Sequence, residues 1–214
     1  MRIAIIDYGS GNLKSVAKAF DRCVRDEGLS LDVELVCDPE KVRRSSHIVL
    51  PGVGAFADCK AGLTALDGMV DVLAEVVQSD ARPFMGICVG MQLMAEFGYE
   101  HGEHTGLGWL EGVVKPLEPI KNSIKIPHMG WNELDIINGH HPLFAGLKNK
   151  QHVYFVHSYH MICNNSDDVM AKTDYGGSIS AIVGRDNMVG TQFHPEKSQR
   201  VGLKLISNFI KWKP

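Results

Sequence analysis

Four short apolar runs in the first hundred residues constrain this chain more than any other feature of its sequence. Arg2 to Asp7, Val33 to Cys37, Ile48 to Leu50 and Pro83 to Cys88 read as strands. The first is a continuous apolar run of the kind buried on both sides in a parallel sheet. Between the first two, Leu13, Val16, Ala17 and Phe20 fall at i, i+3, i+4 and i+7, one helical stripe, with Ser10 or Asn12 as its cap. Met69, Leu73, Val76 and Val77 hold one face of a helical stretch ahead of the fourth run. Alternating strands and helices predict an α/β fold with an open, mostly parallel central sheet flanked by helices. Sites in such sheets form beyond the carboxyl ends of the strands.

Past Cys88 a helix is expected to run to about Phe97, and then the texture changes. Tyr99 to Gly112 is rich in Gly and His, and Val113 to Val189 alternates strand-like runs with turns, which predicts an antiparallel or mixed extension in the second half. Asn138 to Pro142 and Asn164 to Asp168 are loops by composition. A final helix buries Leu205, Ile206 and Phe209. Neither repeats nor a Pro/Ser linker divide the 214 residues, so residues 1–214 are read as one domain.

Composition removes several classes of function. A formal charge of -3 leaves no basic footprint for nucleic acid. Cys23, Cys37, Cys59, Cys88 and Cys163 are odd in number and lack CxxC spacing, which argues against a disulfide framework and a zinc site and for a reducing compartment. His101/His104 and His157/His160 have neither cysteine partners nor an HExxH frame, so no metal is expected. The apolar start, Met1 to Asp7, is too short for a signal peptide and no run approaches a membrane span, so a cytoplasmic protein is expected. Gly9-x-Gly11 lacks the third glycine of a dinucleotide fingerprint and serves equally well as a tight turn, so no cofactor is expected either.

Two segments carry chemistry. In Gly86-Ile87-Cys88-Val89-Gly90 a cysteine stands between glycines where a strand gives way to a helix. That is the form of a strained elbow that lifts a nucleophile clear of a sheet, and a helix N-terminus favours the thiolate. A buried, inert cysteine is the alternative reading of this segment alone. Pro51-Gly52-Val53-Gly54 follows another strand and can turn backbone amides outward as oxyanion donors. In His194-Pro195-Glu196 the proline biases His194 toward an extended backbone, so that His194 and Glu196 can face one space. A carboxylate beside an imidazole fixes its tautomer and stabilises its protonated form, as in a nucleophile, base and acid triad.

Together, Gly86 to Gln92 and His194 to Glu196, about a hundred residues apart, resemble the class I, triad-type glutamine amidotransferases, and the similarity runs over essentially the whole chain. Asp7 to Asn12, Pro51 to Gly54, Pro127 to Asn132 and Tyr154 to Tyr159 resemble, within that class, glutaminase subunits that serve histidine biosynthesis. The resemblance implies a flavodoxin-like fold and a glutaminase reaction through a glutamyl thioester, with Cys88, His194 and Glu196 as the triad. It also implies Gly52, Val53 and Val89 as oxyanion donors, and glutamine near Gln92 and the His157-Ser158-Tyr159 segment. The implied partner is a (β/α)8-barrel cyclase subunit that receives the ammonia, docking at Met129 and Trp131, expected in a turn, with Tyr154 and Lys197 beside them. Because the sequence ends one helix after Glu196, the acceptor chemistry is expected on that other chain. A glutaminase subunit of pyridoxal phosphate synthase, a gamma-glutamyl hydrolase, a paralogue feeding a sugar-modifying synthase and a flavodoxin-like module with an inert cysteine are the competing readings.

Overall fold

A computed structural model describes residues 1–10, 12–118 and 124–214, so Gly11 of the first glycine turn lies outside the described residues. The four apolar runs become β1 (Arg2–Ile6), β2 (Asp32–Val36), β3 (His47–Gly52) and β4 (Phe84–Cys88). They lie parallel in the order β2, β1, β3, β4. Ile3, Ile5, Ile6, Ile48, Val49 and Leu50 are wholly shielded from solvent. Burying each such side chain stabilises the fold by about 1.5–3 kcal/mol, which is why β1 and β3 lie inside the covered sheet, whereas β2 is its edge strand and leaves Leu35 exposed.

Helices α1 (Leu13–Asp26), α2 (Pro39–Arg43), α3 (Phe56–Thr64) and α4 (Met69–Ala74) make the connections, and α4 continues as a π-helical turn over Glu75–Ser79. Met69, Leu73, Val76 and Val77 are buried together, as their spacing predicts. Neither expected residue caps α1 with its side chain. Asn12 stands at the cap position in the left-handed region, φ 63°, but its side chain caps nothing there, and the Ser10 hydroxyl is bound to Val53.

The helix after Cys88, α5 (Val89–Gln92), is one turn long and does not reach Phe97, which instead opens β5 (Phe97–Gly98). The carbonyls that would carry the helix onward are taken from outside it. Leu107, Trp109 and Gly108 donate their amides to Leu93, Met94 and Ala95 at 2.7, 2.9 and 3.0 Å.

The second half joins the first. β6 (His104–Thr105), β7 (Gly112–Pro116), β8 (His128–Ile136), β9 (Gln151–His157), β10 (Tyr159–Cys163), β11 (Val169–Asp174), β12 (Ser178–Arg185) and β13 (Met188–Thr191) follow in turn. Five of them extend the main sheet to nine strands, ordered β2, β1, β3, β4, β13, β12, β11, β8, β9. A four-stranded sheet, β10, β7, β5, β6, lies apart from it. β13 is the seam, parallel to β4 on one side and antiparallel to β12 on the other. His128 to Trp131 is therefore the start of a nine-residue strand and not the turn expected from Pro127 and Gly130. Loops 138–142 and 164–168 are present, each leading into a short 3-10 turn, and α6 (Gln199–Lys211) buries Leu205, Ile206 and Phe209 as expected. Among the described residues no helix is long and apolar enough to cross a membrane.

Candidate active site

Cys88 is the last residue of β4 and has φ 54° and ψ −111°, a region that non-glycine residues avoid. Holding a side chain there costs about 1–3 kcal/mol and needs support from its surroundings. The neighbouring glycines supply it by letting backbone pack on backbone. A Cβ on Gly86 would stand 2.6 Å from the Gly90 carbonyl oxygen, one on Gly52 would stand 2.7 Å from the Gly90 nitrogen, and one on Gly90 would collide with the Leu50 carbonyl. The glycines around the cysteine thus do more than clear space for sulphur; they lock the β4–α5 turn onto the end of β3.

The sulphur faces a cavity of about 310 Å³ at the carboxyl end of the sheet. Val53, Gly54, Val89, Gln92, Ser158, Tyr159 and His194 share its wall, so segments distant in sequence do converge there. The register Thr191↔Ile87 explains why, because the chain leaving β13 must emerge beside Cys88. His194 is extended and Pro195–Lys197 is a 3-10 turn, so His194 and Glu196 meet through a turn and not along a strand. The His194 Nδ1 to Glu196 Oε1 distance is 2.9 Å, with the imidazole 3% and the carboxylate 0% exposed. His194 Nε2 is buried without a well-formed hydrogen bond, on the side of the ring toward the cavity and Cys88. A residue not assigned to this site from sequence completes it: Asn12 Nδ2 donates to Glu196 Oε1 at 2.9 Å.

Burial pushes the His194 imidazole down, but the Cys88 sulphur and the Glu196 carboxylate outweigh it and hold the ring up at about 9. A folded value above the ordinary 6.5 gives a proton whose stabilisation is complete below pH 6.5 and is lost as the pH rises through about 9. The gap in thermal midpoint between wild type and His194→Gln should therefore be widest at pH 6 and shrink toward pH 10. A gap that does not change with pH would remove the proton from His194.

The oxyanion candidates divide. Val89 opens α5, and the first amides of a helix have no partner within it. Gly52 is packed beneath the turn. The Val53 amide, expected to face the cavity, donates instead to Ser10 Oγ at 2.8 Å. Gln92 is only 2% exposed, and its amide is held by the Tyr159 carbonyl and by Gln192. His157 lines the cavity but is 6% exposed, with its ring nitrogens facing Tyr159 and His128. Glu100, which no spacing marked, also lines the cavity, and its Oε2 accepts the Phe56 amide at 2.7 Å. Among the described residues no group of three His, Cys, Asp or Glu side chains is placed to hold a metal.

Beside His194 lies a patch of exposed apolar surface. Met129 and Trp131 on β8 are 65% and 46% exposed. Tyr154 is paired with Trp131 across β8 and β9, ring centroids 5.8 Å apart, and Lys197 Nζ lies 5.8 Å from the Tyr154 ring. Trp131 and Lys197 thus flank Tyr154, whose carbonyl accepts the His194 amide at 3.0 Å, and Met129 lies two residues before Trp131 on the same strand.

A cysteine on a strained elbow and an imidazole backed by a buried carboxylate thus stand at the carboxyl end of a flavodoxin-like sheet, and the chain belongs to the class-I glutamine amidotransferases, whose family model matches residues 4–212. Its fold is shared with the glutaminase domain of Trypanosoma brucei CTPS, solved with bound acivicin (TM-score 0.66, 17% identity, 100% of this chain and 95% of that one). Within the class, it is 55% identical over 217 residues to the "Imidazole glycerol phosphate synthase subunit HisH" of Brucella suis, covering all of both chains. The protein of the same name from Agrobacterium fabrum is 56% identical, again over the full length of both.

Proposed function

We propose that this chain is the glutaminase subunit of an imidazole glycerol phosphate synthase of the cytoplasm, working as one amidotransferase domain over residues 1–214 in histidine biosynthesis. The observation that carries this is the meeting of Cys88 and His194 on one cavity, with Glu196 buried against His194, in a chain more than half identical to HisH subunits along its whole length.

The Cys88 sulphur attacks the side-chain amide carbon of glutamine, and the carbonyl becomes an oxyanion. As the carbon–nitrogen bond breaks, His194 gives its proton to the nitrogen and ammonia leaves, with the glutamyl group held as a thioester. His194 then takes a proton from water, the hydroxide displaces the sulphur, and glutamate is released. Glu196 orients the ring and stabilises its protonated form. Val89 donates to the oxyanion, joined by the Gly52–Val53 peptide once that peptide turns away from Ser10. Glu100 is placed to pair with the α-amino group, and the Gln92, His157, Ser158 and Tyr159 wall takes the rest of the amino acid.

Ammonia passes to a (β/α)8-barrel cyclase subunit, which makes imidazole glycerol phosphate and the aminoimidazole carboxamide ribonucleotide. Met129, Trp131, Tyr154 and Lys197 form the docking surface; aromatic residues and methionine are enriched in such interfaces. The test is co-purification with the cyclase, followed by measurement of glutamate and cyclised product. Wild type should give one product per glutamate, whereas Trp131→Ala should bind more weakly or release glutamate in excess of product. A chain that neither binds the cyclase nor hydrolyses glutamine in its presence would overturn the proposal.

A further inference from the structure

Between the docking strand and the nucleophile the structure holds an unbroken polar row; Gln92, His157 and Tyr159 in it also belong to the wall proposed to hold glutamine, but the hydrogen bonds that join the row have no role in this mechanism. It begins on β8, where Asn132 Nδ2 lies 3.2 Å from His128 Nε2. His128 Nδ1 is 3.0 Å from His157 Nε2, and His157 Nδ1 is 2.9 Å from the Tyr159 carbonyl oxygen. That carbonyl also accepts Gln92 Nε2 at 3.0 Å, and the same amide donates to Gln192 Oε1 at 3.2 Å. Gln192 Nε2 ends the row on Cys88 Sγ at 3.7 Å.

Chemistry fixes the direction of every ring contact. A carbonyl can only accept, so His157 carries its proton on Nδ1 and offers Nε2 as an acceptor. His128 must then donate from Nδ1, which leaves its Nε2 to accept from Asn132. Gln92 faces two acceptors with one amide nitrogen, so its flip is settled, and Gln192, accepting through oxygen, must turn its nitrogen to the sulphur. Burial pushes His128 down to about 4 and His157 down to about 3, so both rings are neutral at pH 7 and hold one tautomer each. His128 is further clamped between the faces of Phe155 and Tyr175, with centroids 4.6 and 3.8 Å away.

We propose that Gln192 donates an N–H to the Cys88 sulphur as it attacks, and that His128 and His157 are positioning residues that hold Gln192 in place through Gln92. The proposal deepens the glutaminase reading and rests on Cys88 as its nucleophile. Hydrogen bonds to an ionised acceptor are roughly twice as strong as neutral ones, so the donor favours the attacking sulphur over the thiol. Gln192 and His194 leave β13 two residues apart, so one segment brings both a proton carrier and a fixed donor to the same atom.

The experiment measures alkylation of Cys88 by iodoacetamide without glutamine or partner, followed by peptide mass, with the exposed Cys37 as internal standard. Gln192→Met and His128→Phe should each slow Cys88 about tenfold relative to Cys37, the loss of one charge-assisted hydrogen bond. Because both changes cut one row, the double variant should be no slower than either single one, whereas independent effects multiply to about a hundredfold. A hundredfold double variant, or either single variant at the wild-type rate, overturns the relay. If His128→Phe loses its cooperative thermal transition, Asn132→Ala at the outer end takes its place. It should slow Cys88 about threefold alone and not at all in the Gln192→Met background; slowing by the same factor in both backgrounds also overturns the relay. A wild-type Cys88 no more reactive than Cys37 would instead tell against the glutaminase reading itself.

Discussion

Cys88→Ala should reduce glutamine hydrolysis by the assembled complex by about 10⁴-fold or more, since removing a nucleophile costs about as much as removing a whole triad. None of the other four thiols lines the cavity: Cys59 is buried behind Val53, Cys23 is buried elsewhere, Cys163 is half-buried and Cys37 is exposed. Ala keeps the packing of the turn, because the contacts there are made by the backbones of Gly86, Gly90 and Leu50. The substitution should therefore leave the fold and the partner complex intact. Cyclisation driven by added ammonium salt should stay near the wild-type rate, because the acceptor needs only ammonia. Stopped glutamate release with surviving ammonium-driven turnover is the expected pair of results. Glutamine hydrolysis above a trace in the variant would take the nucleophile away from Cys88.

Glu196→Gln is expected to lower turnover by about 10²- to 10⁴-fold while leaving Cys88 open to covalent trapping. The carboxylate is wholly buried between two donors, Asn12 Nδ2 and His194 Nδ1, each 2.9 Å from Oε1. A glutamine amide has one accepting oxygen to offer them. Turning that oxygen to His194 keeps the ring's orientation but removes the charge that favours its protonated form. Turning the amide nitrogen there would demand the opposite tautomer. Either outcome weakens proton delivery to the departing ammonia without touching the sulphur or the Val89 amide. A glutamine-like electrophile should still label Cys88 in the variant. Wild-type turnover in Glu196→Gln would remove the residue from the triad.

Where pattern and packing agreed, the sequence was a sound guide. β1 is legible because a strand buried on both faces has no polar alternation to obscure it, and β3 and β4 because each short apolar run stops at a glycine-rich turn. That Cys88 would end a strand and that His194 and Glu196 would meet was legible because both are local features, although the pair meets through a 3-10 turn and not along the extended segment expected. What escaped depends on contacts between distant segments. The end of α5 is set by amides of Leu107 to Trp109 taking its onward carbonyls, and no residue in α5 records that. Asn12 read as a helix cap because short polar side chains favour caps, yet its amide crosses 184 positions to Glu196. Glu100 carries no motif, and the His128–His157 pair becomes visible only when β8 and β9 are laid side by side.

The hydrogen bond from Val53 to Ser10 also sets a ceiling on a switch. An uncharged hydrogen bond contributes about 0.5–1.5 kcal/mol net, which corresponds to a population ratio of roughly two- to twelvefold between the parked and turned peptide. If this bond alone separated the resting from the competent subunit, between about one molecule in three and one in thirteen would stand ready without a partner. Any stronger restraint on wasteful glutamine consumption has to come from elsewhere. A cyclase that raised glutaminase turnover a thousandfold would need to place several further interactions behind the turn of this one peptide.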